Sequence, residues 1–370
     1  MTWTLDKILK GARKLSASDI HLVRGVAPAL RVSGEIRLLD GEALDEQMLR
    51  GMIAEMLTET QRKVFEKRWQ LCFSRTWPGV ARCRVSLYFH AGCPEMAIRL
   101  CDSTIRSREE LGLPPVVDEL TRLADGLILV TGPTGMGKTT TLNYMVDLIN
   151  RDRRAKIVTI EDPVEFVHEM HRSLVIQQEV YTDTFSFKEA LVHVLRQDPD
   201  VIVVGELRDL ETIATALTGA ETGHLVLATL HTPDAVQTIQ RIYGVFPPEQ
   251  QNHIQYQLAN TLQAILAQNL LPRADGQGRI LATEVCIATP AVRKHIREGD
   301  PHLLVSEMQL GRKYQMQTMD AVLLELYQRG EITYDVALSN ARDPNTIRER
   351  SAGTQNGSRA GPREASRTAS

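Results

Sequence analysis

Eight consecutive residues, Gly132 to Thr139, read GPTGMGKT, and their types and spacing are those of a loop that wraps phosphate. Glycines let the backbone close around phosphoryl oxygens, Lys138 can reach the β and γ positions, and the Thr139 hydroxyl can hold Mg²⁺. A helix starting at the end of this loop would add the positive end of its dipole. The expected ligand is ATP with Mg²⁺, bound along Gly132, Pro133, Thr134, Gly135, Met136, Gly137, Lys138, Thr139 and Thr140.

Hydrolysis needs more than phosphate binding. Carboxylates must help hold the metal and orient water, and they usually stand at the C-terminal end of a neighbouring strand. Two places fit: the apolar run IVTI ends in Glu161-Asp162, and the run VIVV ends in Gly205-Glu206. His224 and His231 bracket a third run, LVLATL. Their odd separation would put them on opposite faces of a regular strand, so they are not expected to chelate one metal together.

The elements that must position these groups follow from periodicity. From Gly126 onward, continuous Val/Ile/Leu runs (LILVT, KIVTIED, SLVIQQEV, DVIVVGE, HLVLATLH) alternate with helical stretches at 139–149, 187–196 and 210–222. That alternation predicts an α/β domain whose parallel sheet is covered on both faces. Residues 19–100 instead show short alternating segments (IHLV, RCRVSLYF, EMAIRL) around one amphipathic helix at 49–67, which predicts a small α+β domain. The Pro114-Pro115 break marks a linker over 105–120. Beyond Pro247 the expectation is mostly helix with one strand at 279–287, and the polar stretch 350–370 is expected to be a disordered tail.

Composition excludes several alternatives. With 370 residues, 43% hydrophobic content and 24% charged residues, the chain can bury more than one core. A net charge of −3 and 5% aromatics give no support to a nucleic-acid translocase, which needs a basic, aromatic-bearing surface. The five cysteines contain no CxxC pair, against a zinc site or a disulfide framework. The longest apolar runs fall far short of the ~20 residues that span a bilayer, so a soluble cytoplasmic chain is expected.

In order along the chain, GPTGMGKT, TIEDPVEF, VGELRDLETI and TGHLVLATLHT resemble the Walker A, Asp box, Walker B and His box of secretion and type IV pilus ATPases. ASDIHL, PGVARCRVS and MQTMD resemble the retraction branch of that family, the PilT-type motors. The resemblance implies a PAS-like N-terminal domain over 1–104 and a RecA-like P-loop domain over 121–349, with a helical C-terminal part. It also implies a homohexamer that hydrolyses MgATP and drives pilin depolymerisation through an inner-membrane platform protein, peripheral to that membrane and without inserting in it. A paralogous pilus ATPase is a further partner that the resemblance implies.

The same resemblance assigns roles. Glu206 would polarise water, in a Walker B whose preceding acid is replaced by Gly205; Glu161 would support metal and water; His224 and His231 would sense or contact the nucleotide. Arg82, Arg84 and Arg99 are the candidates for a γ-phosphate contact. Met136 stands where serine is common and is expected to act through its backbone. TPAVRKHIREGD, residues 289–300, resembles the C-terminal motif needed for retraction, so Arg293 and Glu298 are expected to serve motility rather than hydrolysis. Two related readings stay open: an accessory, PilU-like retraction ATPase, which the extended polar tail favours while GELRDLETI and AVRKHIRE favour the primary motor, and an assembly ATPase. The latter usually carries a tetracysteine zinc module, and here Cys286 is the only cysteine after Cys101. A nucleotide-binding scaffold without turnover is disfavoured by the intact Lys138, Thr139, Glu161 and Glu206.

Overall fold

The computed structural model describes residues 3–101 and 104–357. Among the described residues, thirteen strands lie in two sheets. The first has β1 (Asp19–Leu22), β2 (Ala29–Val32), β3 (Glu35–Leu38), β4 (Gln70–Trp77), β5 (Ala81–His90) and β6 (Cys93–Leu100), in the spatial order β3-β2-β1-β6-β5-β4. All its neighbours are antiparallel. The alternation that predicts these strands is realised in β5, where Cys83, Val85 and Leu87 point inward and are buried. They pack with Leu71, Phe73, Met96 and Ile98 of adjacent strands and with Ile8 and Leu9 of the helix Leu5–Lys14.

The second sheet contains β7 (Gly126–Thr131), β8 (Lys156–Glu161), β9 (Leu174–Glu179), β10 (Val201–Val204), β11 (Leu225–Leu230), β12 (Leu262–Pro272) and β13 (Arg279–Ile287). Its order is β13-β12-β7-β11-β10-β8-β9. The pairs β9/β8, β8/β10 and β10/β11 are parallel, whereas β12/β13 is antiparallel. Every residue of β7, β10 and β11 is buried, which is why these strands read as unbroken apolar runs. The fold is therefore α/β with a mixed, largely parallel sheet.

By internal contacts the chain forms two compact units, one of Met1–Arg106, Thr121–Leu127 and Leu142–Thr229, the other of Ser107–Leu120, Ile128–Thr141 and the residues from Leu230 onward. The stretch expected as a linker carries two short helices, Arg108–Leu111 and Val116–Leu120, within the second unit. The helix Pro344–Gly357 enters the stretch expected as a disordered tail, and residues 358–370 lie outside the described residues.

Two expectations about elements are corrected. The single helix at 49–67 is two, Glu46–Met56 and Glu59–Arg68. Thr58 and Gln61 exchange side-chain and backbone hydrogen bonds in a capping box, so the chain restarts its helix at Thr58 rather than continuing it. Second, LQAILAQNLLP is not helical but β12. Its apolar spacing suits a helix, yet Ala264 to Ala267 are all fully buried and nine residues pair in register with β13. Tertiary pairing overrides a helix-favouring local composition. The Asp275-Gly276 turn, with Gly276 at φ 72°, is the local signal for this hairpin.

Within the second unit one carboxylate anchors two helices. Glu284 on β13 is almost fully buried and accepts the amide of Ala235 at 2.9 Å and of Met319 at 3.3 Å. These are the first residues of the helices Ala235–Gly244 and Met319–Gln328, whose orphan N–H groups attract negative charge. Burial pushes the Glu284 carboxyl pKa upward.

Arg293 performs the complementary task at a helix C-terminus. From the helix Pro290–Glu298 it donates to the carbonyls of Ala259 (2.6 Å), Asn260 (2.8 Å) and Ala288 (2.9 Å), closing the end of the helix Pro248–Thr261. A cation there satisfies orphan carbonyls and complements the dipole. This structural task stands beside the role in motility that the resemblance implies for Arg293. Arg293→Ala should lower stability by about 2–3 kcal/mol, the value of charge-assisted hydrogen bonds, whereas Lys294→Ala, at an exposed site, should change little. Parallel thermal melts decide it: indistinguishable curves would remove Arg293 from the helix-closing role.

Candidate active site

In the second unit, the loop after β7 bends through three glycines with positive φ: Gly132 at 137°, Gly135 at 81° and Gly137 at 83°. Gly132 could not be any other residue without rebuilding, because a Cβ would lie 2.3 Å from the Gln268 carbonyl oxygen on β12. The helix Lys138–Asp152 starts at the end of this loop. Backbone N–H groups at such a helix start, on a glycine-rich turn, form an anion cradle.

Lys138 is buried, and its ammonium donates to the loop's own carbonyls, Gly132 O at 2.7 Å and Pro133 O at 2.9 Å. The His231 Nδ1 lies 3.4 Å from both the Lys138 Nζ and the Thr134 Oγ1. The structure thus brings His231 to the loop. β12 supports the loop from its other side: the Gln268 amide donates to the Thr141 hydroxyl at 2.7 Å, and the Leu270 N–H reaches the Met136 sulfur at 3.2 Å. Met136 therefore contributes a side-chain acceptor as well as its backbone.

In the first unit, β8 and β10 are parallel neighbours with Ile160 opposite Val204. That register sets Glu161, the last residue of β8, and Gly205-Glu206, just past β10, at the same C-terminal edge, where open parallel sheets present ligand sites. Glu161 is buried and accepts from the Thr159 hydroxyl at 2.6 Å and the Gln177 amide at 3.0 Å. Burial raises its pKa, and a nearby cation would favour its ionised form. Burial likewise raises the pKa of Asp162. Glu206 accepts from the Arg208 Nε at 2.8 Å. The glycine before it has a steric reason: a Cβ on Gly205 would sit 3.1 Å from the Ile160 carbonyl oxygen.

His224 is placed differently. It stands before β11, at the edge opposite the Glu161 and Glu206 ends, where its Nδ1 lies 2.9 Å from Gly219 O and 3.1 Å from the Thr222 hydroxyl. The three arginines each have a carboxylate neighbour within the first unit. Arg82 lies 3.6 Å from Glu179 and donates to Val164 O at 2.5 Å; Arg84 pairs with Glu165 at 2.9 Å; Arg99 pairs with Asp19 at 2.9 Å. None of them is a merely solvated charge. A cleft of about 430 Å³ opens beside Arg82, Trp77, Glu165 and Phe166. Among the described residues no cluster of three or more His, Cys, Asp or Glu could hold a metal by itself. Mg²⁺ sites commonly use one or two carboxylates plus substrate phosphates, so Thr139, Glu161 and Glu206 remain suitable in kind.

This loop and these strand-end carboxylates agree with a family-level match: the profile of the Type II/IV secretion system protein family covers residues 1–360. The chain belongs to that family. Among its relatives, the type IV pilus retraction ATPase PilT of Pseudomonas aeruginosa is 42% identical over 340 residues, 92% of this chain and 98% of the relative. The twitching motility protein of Neisseria gonorrhoeae is 42% identical over 347 residues, 94% of this chain and 93% of the relative. A crystal structure of the pilus retraction motor PilT with bound ADP superposes with a TM-score of 0.87 at 42% identity, over 94% of this chain and all of that one. Among the described residues, no helix is long and apolar enough to cross a membrane.

Proposed function

We propose that this chain is an ATP-hydrolysing motor that powers type IV pilus retraction, and with it twitching motility, by driving pilin depolymerisation at the cytoplasmic side of the inner membrane. The observation that carries the reading is near-complete, end-to-end similarity to a retraction ATPase, together with a phosphate loop whose lysine and glycines are intact. The mixed sheet is read as RecA-like and the antiparallel domain as PAS-like, in a homohexameric ring.

Each residue's part follows from its chemistry. Gly132, Gly135 and Gly137 let backbone N–H groups approach the phosphates, and Lys138 exchanges its loop carbonyls for phosphoryl oxygens. Thr139 would hold Mg²⁺, which neutralises charge on the β and γ oxygens when bound. Glu206, with Glu161 as the alternative, orients the attacking water. His231 contacts the phosphate end of the nucleotide, and one of Arg82, Arg84 and Arg99 supplies positive charge. His224 is assigned a sensing role only, because it lies at the far end of β11. An inner-membrane platform protein and a paralogous pilus ATPase are the expected partners; neither nucleic acid nor direct membrane insertion is part of the reading.

Gene deletion with pilus counting and a twitching assay tests it. The expected result is many surface pili with no movement. Loss of pili would instead make the chain an assembly ATPase, and defects cured by overproducing a paralogue would make it the accessory motor.

A further inference from the structure

Glu179, the last residue of β9, is 3% exposed and surrounded by donors. Its Oε1 accepts the Ser74 N–H at 3.0 Å and the Thr182 hydroxyl at 2.9 Å. Its Oε2 accepts the Val164 N–H at 3.0 Å and the Ser74 hydroxyl, with the Arg82 guanidinium 3.6 Å away. Four hydrogen bonds fill the lone-pair sites of a carboxylate. They gather three separate stretches: β4 of the antiparallel sheet through Ser74, the turn just after Glu161-Asp162 through Val164, and the turn after β9 through Thr182.

Arg82 completes the arrangement from the other side. Its Nε donates to the Val164 carbonyl at 2.5 Å, and its guanidinium also reaches the Ser74 hydroxyl. Val164 is therefore held by both backbone groups, its N–H by Glu179 and its C=O by Arg82. The turn after β9 is fixed further: the Gln61 amide donates to the Thr182 hydroxyl at 3.1 Å, and Arg68 bonds and covers Tyr181, whose φ of 64° is unusual for a tyrosine.

From this geometry we infer that Glu179 is a positioning residue: it holds the turn that carries Glu161 and Asp162, together with Arg82, in one fixed arrangement. The inference rests on the ATPase reading for its kinetic consequence, though the clamp itself does not. Charge and shape are both required. Each carboxylate oxygen faces a backbone N–H, which cannot turn round to accept. A glutamine at this position would direct its NH₂ at one of them. Aspartate is a methylene too short to reach both sides. Misplacing a catalytic carboxylate by about 1 Å can cost roughly 10²-fold in rate.

The test uses the full-length protein and four variants, Glu179→Gln, Ser74→Ala, Arg82→Gln and the double variant Glu179→Gln/Arg82→Gln. Ser74→Ala removes only the hydroxyl and serves if Glu179→Gln does not fold. Hydrogen exchange at the Ser74 and Val164 amides, without nucleotide, reads the clamp; kcat and KM for MgATP read its effect. Expected are at least roughly tenfold faster exchange at Val164 and a kcat at least tenfold lower with KM changed less than about threefold. The double variant should be no slower than the slower single one, because the two act as a unit. Unchanged exchange in both Glu179→Gln and Ser74→Ala overturns the clamp. Faster exchange with unchanged kcat, or a loss of rate explained wholly by a smaller folded fraction, overturns the positioning role. A wild-type protein with no ATP turnover would sink the motor reading instead, and exchange alone would then judge Glu179.

Discussion

Lys138→Ala abolishes ATP turnover, with an expected loss of about 10³-fold or more, because one preorganised charge at the β and γ oxygens carries much of the transition-state stabilisation. The Lys138 ammonium bonds the carbonyls of Gly132 and Pro133, so alanine also leaves two loop acceptors unmet. The loop is therefore expected to loosen as well as lose affinity. Saturating ADP, at about 100 times Kd, should stabilise the wild type by roughly 2.7 kcal/mol in a thermal melt, and this gain should vanish in the variant. Retained turnover above a tenth of the wild-type rate, or an undiminished ADP-dependent melt shift, would remove Lys138 from the site.

The second large effect separates binding from chemistry. Glu206→Gln keeps size and hydrogen-bonding reach but removes the charge, so kcat should fall by roughly 10²–10³-fold while nucleotide still binds. Stability should barely change, since the ion pair with Arg208 involves a largely exposed guanidinium and exposed pairs contribute little. Glu161→Gln is the informative comparison. That side chain is buried and already accepts from Thr159 and Gln177, and an amide oxygen can keep accepting from both. If Glu206→Gln turns over normally while Glu161→Gln does not, the water-orienting role passes to Glu161. Single-turnover kinetics with the bound ATP measured directly would separate the two outcomes.

Glycine spacing, a lysine and a hydroxyl in fixed order identify the phosphate loop because each type answers a backbone or charge requirement that few others satisfy. Glu161 and Glu206 were readable for a related reason: strands buried on both faces end abruptly where a carboxylate appears. β12 was not legible, although an Asp275-Gly276 turn joins it to β13. Nothing local distinguishes LQAILAQNLLP from a buried helix, and its strand identity comes from pairing with β13. Glu179 escapes sequence reading altogether, and Arg293 is legible only as part of a motif, not as the residue that closes a helix end. Their partners lie 105 residues away for Ser74 and Glu179, and 34 for Arg293 and Ala259, and one charged residue carries no periodic trace of such contacts. The arginines fall between these cases: their clustering on β5 and β6 is plain, but the carboxylates that neutralise them appear only with the fold.

The shared anchor at Glu284 makes two helix starts mechanically interdependent. The helix Ala235–Gly244 begins four residues after His231, the histidine beside Lys138, whereas Met319–Gln328 opens the C-terminal helical cluster. If one start shifts, its partner must follow or a buried hydrogen bond must break, at a cost of about 1–3 kcal/mol. A single side chain thus gears the turn next to the phosphate loop to helices that touch no phosphate.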